Sequence, residues 1–212
     1  MLHELKTNSF EFNYQLDQDG HITLLFFAHP ESLVLLKRYP EVLLMDCTYK
    51  TNHFHMPLLD ILGSTGLHQT FFTAFVFLLG ETKEDYTSAL RMLRGVIQTR
   101  SITTPKVVII DKDQGLINAI SSIFPQSHNL LCSWHINKNI LSYGQDLKLY
   151  EKDSEEEGSF MRQWYHLVSS ETIEGYNSGW IEFQMCWREH PQLLRYLAKT
   201  WLDKEKERFV RC

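Results

Sequence analysis

Two aspartates follow two apolar runs of the chain, and this repeated placement points to a metal site. Asp46 comes directly after residues 42–45, and Asp111 comes directly after residues 107–110. Each run is short and apolar at every position, which is typical of a strand buried on both faces. Carboxylates at the ends of adjacent strands would lie on rigid elements, where hard divalent cations take oxygen ligands. The alternative is that each aspartate caps the turn or helix that follows it.

The chemistry that such a pair supports is phosphodiester cleavage. Two divalent ions about 4 Å apart can activate a water or a 3'-hydroxyl and stabilise the leaving oxygen. Magnesium is the expected ion, and the reaction usually needs a third carboxylate. Asp113 is an alternative to Asp111, although the position directly after the apolar run better marks the end of the strand.

Cys132 and His135 are the second candidate pair, a thiol and an imidazole three residues apart. On a helix they face the same side, and both suit zinc. Two ligands do not make a zinc site, so zinc is not predicted here on their strength alone, and a cysteine buried beside a core histidine is the alternative. A thiol nucleophile at Cys132 or Cys47 lacks the local motif of any thiol-enzyme class. The other histidines considered as ligands are His53, His55 and His128.

Composition limits the partners of this chain. Its 212 residues are 43% hydrophobic, enough for one domain with a substantial core, with or without an appendage. The formal net charge of -5 predicts weak binding to DNA, because that affinity comes largely from Lys and Arg neutralising phosphates. A separate basic domain would be needed. No signal region or membrane span is apparent, and an intracellular protein is expected. Free thiols are predicted at Cys47, Cys132, Cys186 and Cys212, which show no CxxC spacing.

The elements that must position these residues alternate between strands and helices. Asp17 to Gly20 form a turn signal between strands at residues 10–16 and 21–27, which predicts a hairpin. A short helix at residues 29–39 should bury Leu33, Val34 and Leu36. A helix at residues 84–99 carries the chain to the strand before Asp111, which implies parallel pairing. The other predicted elements are strands at 57–63, 70–80 and 129–132 and helices at 114–124 and 133–143.

The last quarter of the chain differs in pattern. Residues 151–158 are charged and predict a linker or loop. Beyond them only helical periodicity is found, with an aromatic-rich face. That spacing favours a core role for the tryptophans, and stacking on unpaired bases is the alternative. The tryptophans concerned are Trp164, Trp180, Trp187 and Trp201.

Several segments, in order and spacing, resemble the transposase domain of Mutator-like elements. They are residues 42–52 (VLLMDCTYKTN), 56–59 (MPLL), 110–113 (IDKD) with 116–120 (LINAI), 124–125 (FP) and 131–139 (LCSWHINKN). The resemblance extends from about residue 10 to residue 139. It implies an α/β fold, a ribonuclease H-like mixed sheet with flanking helices, followed by an all-α insertion region.

The same resemblance implies roles for particular residues. Asp46 and Asp111 would be the first two acids of a DDE triad that binds Mg²⁺ or Mn²⁺, and Cys132 with His135 would be the Cys-x-x-His signature of the family. The third acid, a glutamate, is expected beyond the helical insertion, so no residue here is assigned to it. Glutamates within helices that resemble the insertion are Glu171, Glu174, Glu182 and Glu205.

The predicted organisation has three parts: an N-terminal hairpin and helix at residues 1–40, a transposase core at 41–150 and the helical insertion region at 151–212. The predicted function is DNA transposition by metal-dependent strand cleavage and transfer, incomplete without the third acid. Transposon ends and target DNA would be the partners, with a separate DNA-binding domain, a possible homodimer and a nuclear location.

Two other functions remain open from the sequence. One is a domesticated nuclear regulator that binds DNA or protein without catalysis, as plant far-red-response regulators resembling this family do. The other is a general ribonuclease H-like nuclease, which leaves the Cys-x-x-His segment and the helical region unexplained.

Overall fold

The computed structural model describes residues 1–49, 51–67 and 69–211. They form two compact units, one ending at Leu130 and one beginning at Leu131. The boundaries expected near residues 40 and 150 stay a prediction. Lys50, part of the resemblance to the transposase family, and Cys212, predicted to be a free thiol, lie outside the described residues.

A seven-stranded mixed sheet with helices organises the first unit, which confirms the predicted α/β class; its ribonuclease H-like character stays a prediction. The strand order is β1-β2-β5-β4-β3-β6-β7. β3 and β6 are parallel, whereas β1–β2, β2–β5, β5–β4 and β4–β3 are antiparallel. The elements are α1 Leu2–Thr7, β1 Glu11–Leu16, β2 Ile22–Ala28, α2 Pro30–Arg38, β3 Val42–Thr48, β4 Leu58–Ser64, β5 Thr70–Leu78, α3 Lys83–Thr99, β6 Val107–Ile110, α4 Gln114–Ile123 and β7 His128–Leu131.

The predicted hairpin of β1 and β2 is confirmed. Asp17 Oδ1 accepts the backbone N–H groups of Asp19 at 2.9 Å and His21 at 2.8 Å, which closes the turn. Gly20 has a φ of +84°, a conformation that glycine adopts without strain. The bond from the His21 backbone, together with the smaller effect of Asp19, holds the pKa of Asp17 below its usual value.

Helix α2 begins after His29 and buries Leu33 and Leu36 in the core. Val34 is 66% exposed, so the prediction that it faces inward is wrong. Successive residues of a helix are rotated by about 100°, so Val34 points away from the face that Leu33 and Leu36 bury.

The crossover from β5 to β6 through α3 is confirmed. The parallel pairing of β6 is also found, but its partner is β3 rather than β5. A capping box of Thr82 and Asp85 starts α3, and Leu90 and Leu93 are fully buried beneath it. α3 and α4 pack on each other and share one hydrophobic core with one face of the sheet. The core residues of β3, β4 and β5 alternate with less buried ones, and they include Leu43, Met45, Leu59, Ile61, Ala74 and Val76.

The second unit is helical after Leu131. Its helices are α5 Ser133–Asp146, α6 Glu155–Val168, α7 Ile173–Cys186 and α8 Pro191–Tyr196, followed by a π-helical segment Leu197–Leu202 and short turns at Asp203–Glu205 and Lys206–Arg208. The core role is confirmed for Trp164 and Trp201, which are both buried. The Trp164 indole donates to Asn137 Oδ1 at 2.9 Å.

The predicted linker at residues 151–158 is wrong in its second half. α6 begins at Glu155, and the Ser154 hydroxyl accepts the Glu157 N–H at 3.2 Å. The three glutamates that open α6 lie in its first turn, where the helix dipole favours negative charge. Among the described residues, no helix has the length and apolar character needed to cross a membrane.

Candidate metal site

Asp46 lies inside strand β3 rather than at its end. The strand continues because Cys47 pairs with Leu59 and Thr48 pairs with Leu58 of the antiparallel neighbour β4. The prediction that Asp46 marks the strand exit is therefore wrong. A position within a paired strand holds the Cα of Asp46 more rigidly than a loop would.

Asp111 directly follows the last residue of β6, as predicted. The capping role in this segment belongs to Asp113, whose Oδ1 accepts the Leu116 N–H at 2.7 Å as the N-cap of α4. The N-cap of α4 is thus Asp113 rather than Asp111. Asp113, the other candidate ligand, has one carboxylate oxygen engaged in the cap.

The register of the parallel pair bears on the relative position of the two acids. Leu44 of β3 is opposite Ile109 of β6. If that register continued for two more residues, Asp46 would lie beside Asp111. Asp46 follows the core residue Met45 in the strand, so its side chain points to the sheet face away from α3 and α4. Neighbouring strands lie about 4.8 Å apart, so carboxylates at matched positions can share one cation.

That outer face is less buried than the sequence predicts. Along both runs every second residue is buried, and those between keep partial exposure, so the expectation of strands buried on both faces is wrong. The buried positions are Leu43, Met45, Val108 and Ile110, and the partly exposed ones are Val42, Leu44, Val107 and Ile109.

Asp60 is a third carboxylate of this face that the sequence analysis missed. It pairs directly with Asp46 across β4 and β3, and Asp111 follows the end of the next strand, β6. The Thr48 hydroxyl donates to Asp60 Oδ2 at 3.2 Å. Burial raises the pKa of Asp60; the Thr48 bond opposes this shift and the charge of Asp46 adds to it. A charged residue inside the apolar run of residues 58–62 was the available signal.

A second missed group centres on Glu81, in the loop between β5 and α3. The Tyr49 hydroxyl donates to Glu81 Oε1 at 2.5 Å, and the Tyr86 hydroxyl lies 3.2 Å from the same oxygen and 3.7 Å from Cys47 Sγ. The hydrogen bond to Glu81 is the main cause that raises the pKa of Tyr49. The negative charge of Asp111 is a smaller cause in the same direction. Tyr49 therefore lies within the electrostatic reach of both Glu81 and Asp111.

Burial raises the pKa of the Cys47 thiol to about 12. The Tyr86 hydrogen bond opposes this shift, while the negative charges of Glu81 and Asp46 add to it. Because the thiolate is the nucleophilic form, Cys47 is poorly suited to nucleophilic catalysis.

The donor chemistry of the sheet face fits a hard divalent cation. Carboxylate oxygens suit Mg²⁺ and Mn²⁺, and no soft ligand is needed. In the part of the chain that the structure describes, one group of three potential ligands lies within reach of a single ion: Asp17, Asp19 and His21. All three are exposed in the hairpin turn, and their mutual hydrogen bonds account for their closeness.

Cys132 and His135 belong to the second unit. Cys132 is the N-cap residue of α5 with an extended backbone, and its side chain makes no capping hydrogen bond. His135 lies in the first turn of α5, with its ring edge-on to Trp134 at a centroid distance of 4.7 Å. Both residues are partly buried. That this pair alone does not bind zinc stays a prediction.

The fold and the candidate site define the class of the first unit. It is an α/β unit whose mixed sheet carries acidic side chains on neighbouring strands. Residues 42–139 match the family model of the MULE transposase domain. This match confirms, for residues 42–139, the resemblance found in the sequence.

Three relatives define the extent of the similarity. A stretch of 103 residues is 30% identical to the PKS-NRPS hybrid synthetase cheA of Chaetomium globosum, covering 49% of this chain and 2% of that protein. Protein FAR1-RELATED SEQUENCE 6 of Arabidopsis thaliana is 27% identical over 137 residues, 65% of this chain and 19% of the relative. Protein FAR-RED IMPAIRED RESPONSE 1 of the same plant is 23% identical over 190 residues, 84% of this chain and 22% of the relative. The chain thus spans less than a quarter of each relative's length.

Proposed function

We propose that the sheet is the metal-binding core of a MULE-type DDE transposase with a ribonuclease H-like fold, in which Asp46 and Asp111 bind Mg²⁺ or Mn²⁺. The observation that supports this proposal is the parallel register of β3 and β6, which would bring the two acids side by side if it continued for two more residues. The match of residues 42–139 to the family supports it independently of the geometry.

In this proposal each residue has a limited task. Asp46 supplies a carboxylate from within a paired strand, and Asp111 supplies the second from the end of β6. A divalent ion held by these carboxylates would supply activation of a water or 3'-hydroxyl and stabilisation of the leaving oxygen of a DNA phosphodiester. The glutamate that completes the triad follows the helical region. A separate basic domain provides the affinity for DNA that a net charge of -5 does not, and the protein acts in the nucleus, as a homodimer where two DNA ends are paired.

A second candidate is a regulator that binds DNA or protein through this fold without catalysis. It is favoured by the similarity to Protein FAR-RED IMPAIRED RESPONSE 1, which covers 84% of this chain and so extends beyond the family match. In that case the acid pair has no role in binding. The two candidates therefore differ in what the loss of the two carboxylates does.

Mn²⁺ binding to the full chain, followed by electron paramagnetic resonance of the free ion, tests the first candidate. We expect Asp46→Asn and Asp111→Asn each to remove binding that the wild type shows. Asp19→Asn is the matched control, because it removes a carboxylate from the hairpin group instead. Binding that persists in the Asp46→Asn, Asp111→Asn double variant contradicts the metal assignment.

Nicking of DNA that carries element ends tests catalysis. Mn²⁺-dependent nicking that Asp46→Ala abolishes supports the transposase. If chromatin binding occurs and the double variant leaves it unchanged while no nicking is found, the regulator is favoured.

A further inference from the structure

Glu81 connects the two segments that carry the candidate metal ligands. Its Oε1 accepts the Tyr49 hydroxyl at 2.5 Å and lies 3.2 Å from the Tyr86 hydroxyl. Tyr49 is three residues after Asp46, and Tyr86 lies in the first two turns of α3. The carboxylate of Glu81 therefore attaches the chain that follows Asp46 to the start of α3.

The main chain of Glu81 lies close to the other segment. A Cβ on Gly115 would lie 3.0 Å from the Glu81 carbonyl oxygen and 3.3 Å from the Lys83 backbone nitrogen. Gly115 is in the first turn of α4, four residues after Asp111. The loop of Glu81 and the turn after Asp111 thus approach so closely that a side chain larger than hydrogen would crowd them.

The attachment on the Asp46 side depends on the hydrogen bond rather than on burial. Tyr49 is 61% exposed, so few packing contacts hold it in place. A hydrogen bond to an ionised carboxylate is shorter and stronger than one between neutral groups. Loss of either partner should free the segment after Asp46 without emptying a core position.

We propose that Glu81 is a positioning residue for the Asp46 and Asp111 pair: its side chain holds the segment after Asp46, and its main chain lies close to the turn after Asp111. The inference rests on the proposed metal-binding function. Groups that orient metal ligands from outside the coordination sphere typically change metal affinity about 10- to 100-fold when they are removed.

The test compares Mn²⁺ affinity and thermal unfolding of the metal-free full chain. We expect Glu81→Ala and Tyr49→Phe to weaken Mn²⁺ binding about tenfold. Glu81→Gln keeps a carbonyl oxygen as acceptor and should retain more affinity than Glu81→Ala. Tyr14→Phe is the matched control, an exposed tyrosine on β1 whose hydroxyl makes no hydrogen bond to a described residue.

The outcomes separate this inference from the function on which it rests. If the wild type binds no Mn²⁺ that Asp46→Asn removes, the metal-binding function and the positioning role both fail. If the wild type binds and both Glu81→Ala and Tyr49→Phe stay within about twofold of it, the positioning role alone is overturned. A lower unfolding temperature with unchanged Mn²⁺ affinity also overturns it, because it shows a purely structural contact.

Discussion

Asp46 and Asp60 face each other directly across the antiparallel strands β3 and β4. Like charges at opposed positions of a sheet destabilise it by up to about 1 kcal/mol. The Thr48 hydroxyl offsets part of this effect by donating to Asp60. Removal of either charge should therefore relieve the repulsion.

The first prediction concerns Asp60→Asn in the presence of EDTA. The pKa of Asp60 is raised above 3.8 in the folded chain, so the folded state holds its proton more tightly than the unfolded state does. Its contribution to stability is therefore present in acid and is lost as pH rises from about 4 through the raised pKa. At pH 7 the variant should be more stable than the wild type by up to about 1 kcal/mol, as measured by urea unfolding.

The difference in the free energy of unfolding between Asp60→Asn and the wild type should increase as pH rises from about 4 through the raised pKa of Asp60. Asp19→Asn, which removes an exposed carboxylate of the hairpin turn, should show no such increase in the free energy of unfolding. An Asp60→Asn variant that is less stable than the wild type at pH 7 would contradict the repulsion.

The second prediction concerns thiol reactivity. With a pKa of about 12, Cys47 is ionised in roughly one molecule in ten thousand at pH 8. Cys186 is exposed. Iodoacetamide at pH 8 should therefore modify Cys186 in the folded chain and leave Cys47 intact, as followed by peptide mass spectrometry. Both should react in urea, and equal rates in the folded chain would refute the burial of the Cys47 thiol.

Local signals in the sequence were enough for several elements. The Asp-Gly turn predicted the hairpin because its conformation is set by the turn residues themselves, and the apolar spacing of α3 predicted the crossover. The start of α6 was equally local, since Ser154 precedes Glu157 by three residues, a capping pattern that the charged run concealed.

The site depended more on distant contacts. Asp46 lies within β3 only because β4 pairs with the residues after it, and Asp60 becomes a neighbour of Asp46 only through that pairing. The bond from Tyr49 to Glu81 joins residues 32 positions apart. No periodicity in the sequence specifies either relationship, because both are set by strand pairing and loop packing.

The third prediction concerns Thr73, where β5 shifts register against β4. Thr73 is 1% exposed, and its hydroxyl has no hydrogen-bond partner among the described residues. An unsatisfied buried polar group costs about 1–3 kcal/mol. Thr73→Val, which keeps the shape of the side chain, should raise the free energy of unfolding by about 1 kcal/mol in urea. The exposed Thr70→Val is the control, and a loss of stability in Thr73→Val alone would show that the hydroxyl is bonded.

The fourth prediction contrasts two helical glycines. An added Cβ at Gly95 of α3 would meet nothing within 4 Å, whereas at Gly115 of α4 it would lie 3.0 Å from the Glu81 carbonyl oxygen. Alanine is favoured over glycine within helices by up to about 1 kcal/mol, so Gly95→Ala should stabilise the chain. Gly115→Ala should destabilise it by about 1–3 kcal/mol, because overpacking forces the backbone apart. Urea unfolding of both variants tests this contrast. Equal stabilisation would show that the loop of Glu81 moves away from the added Cβ without a cost in stability.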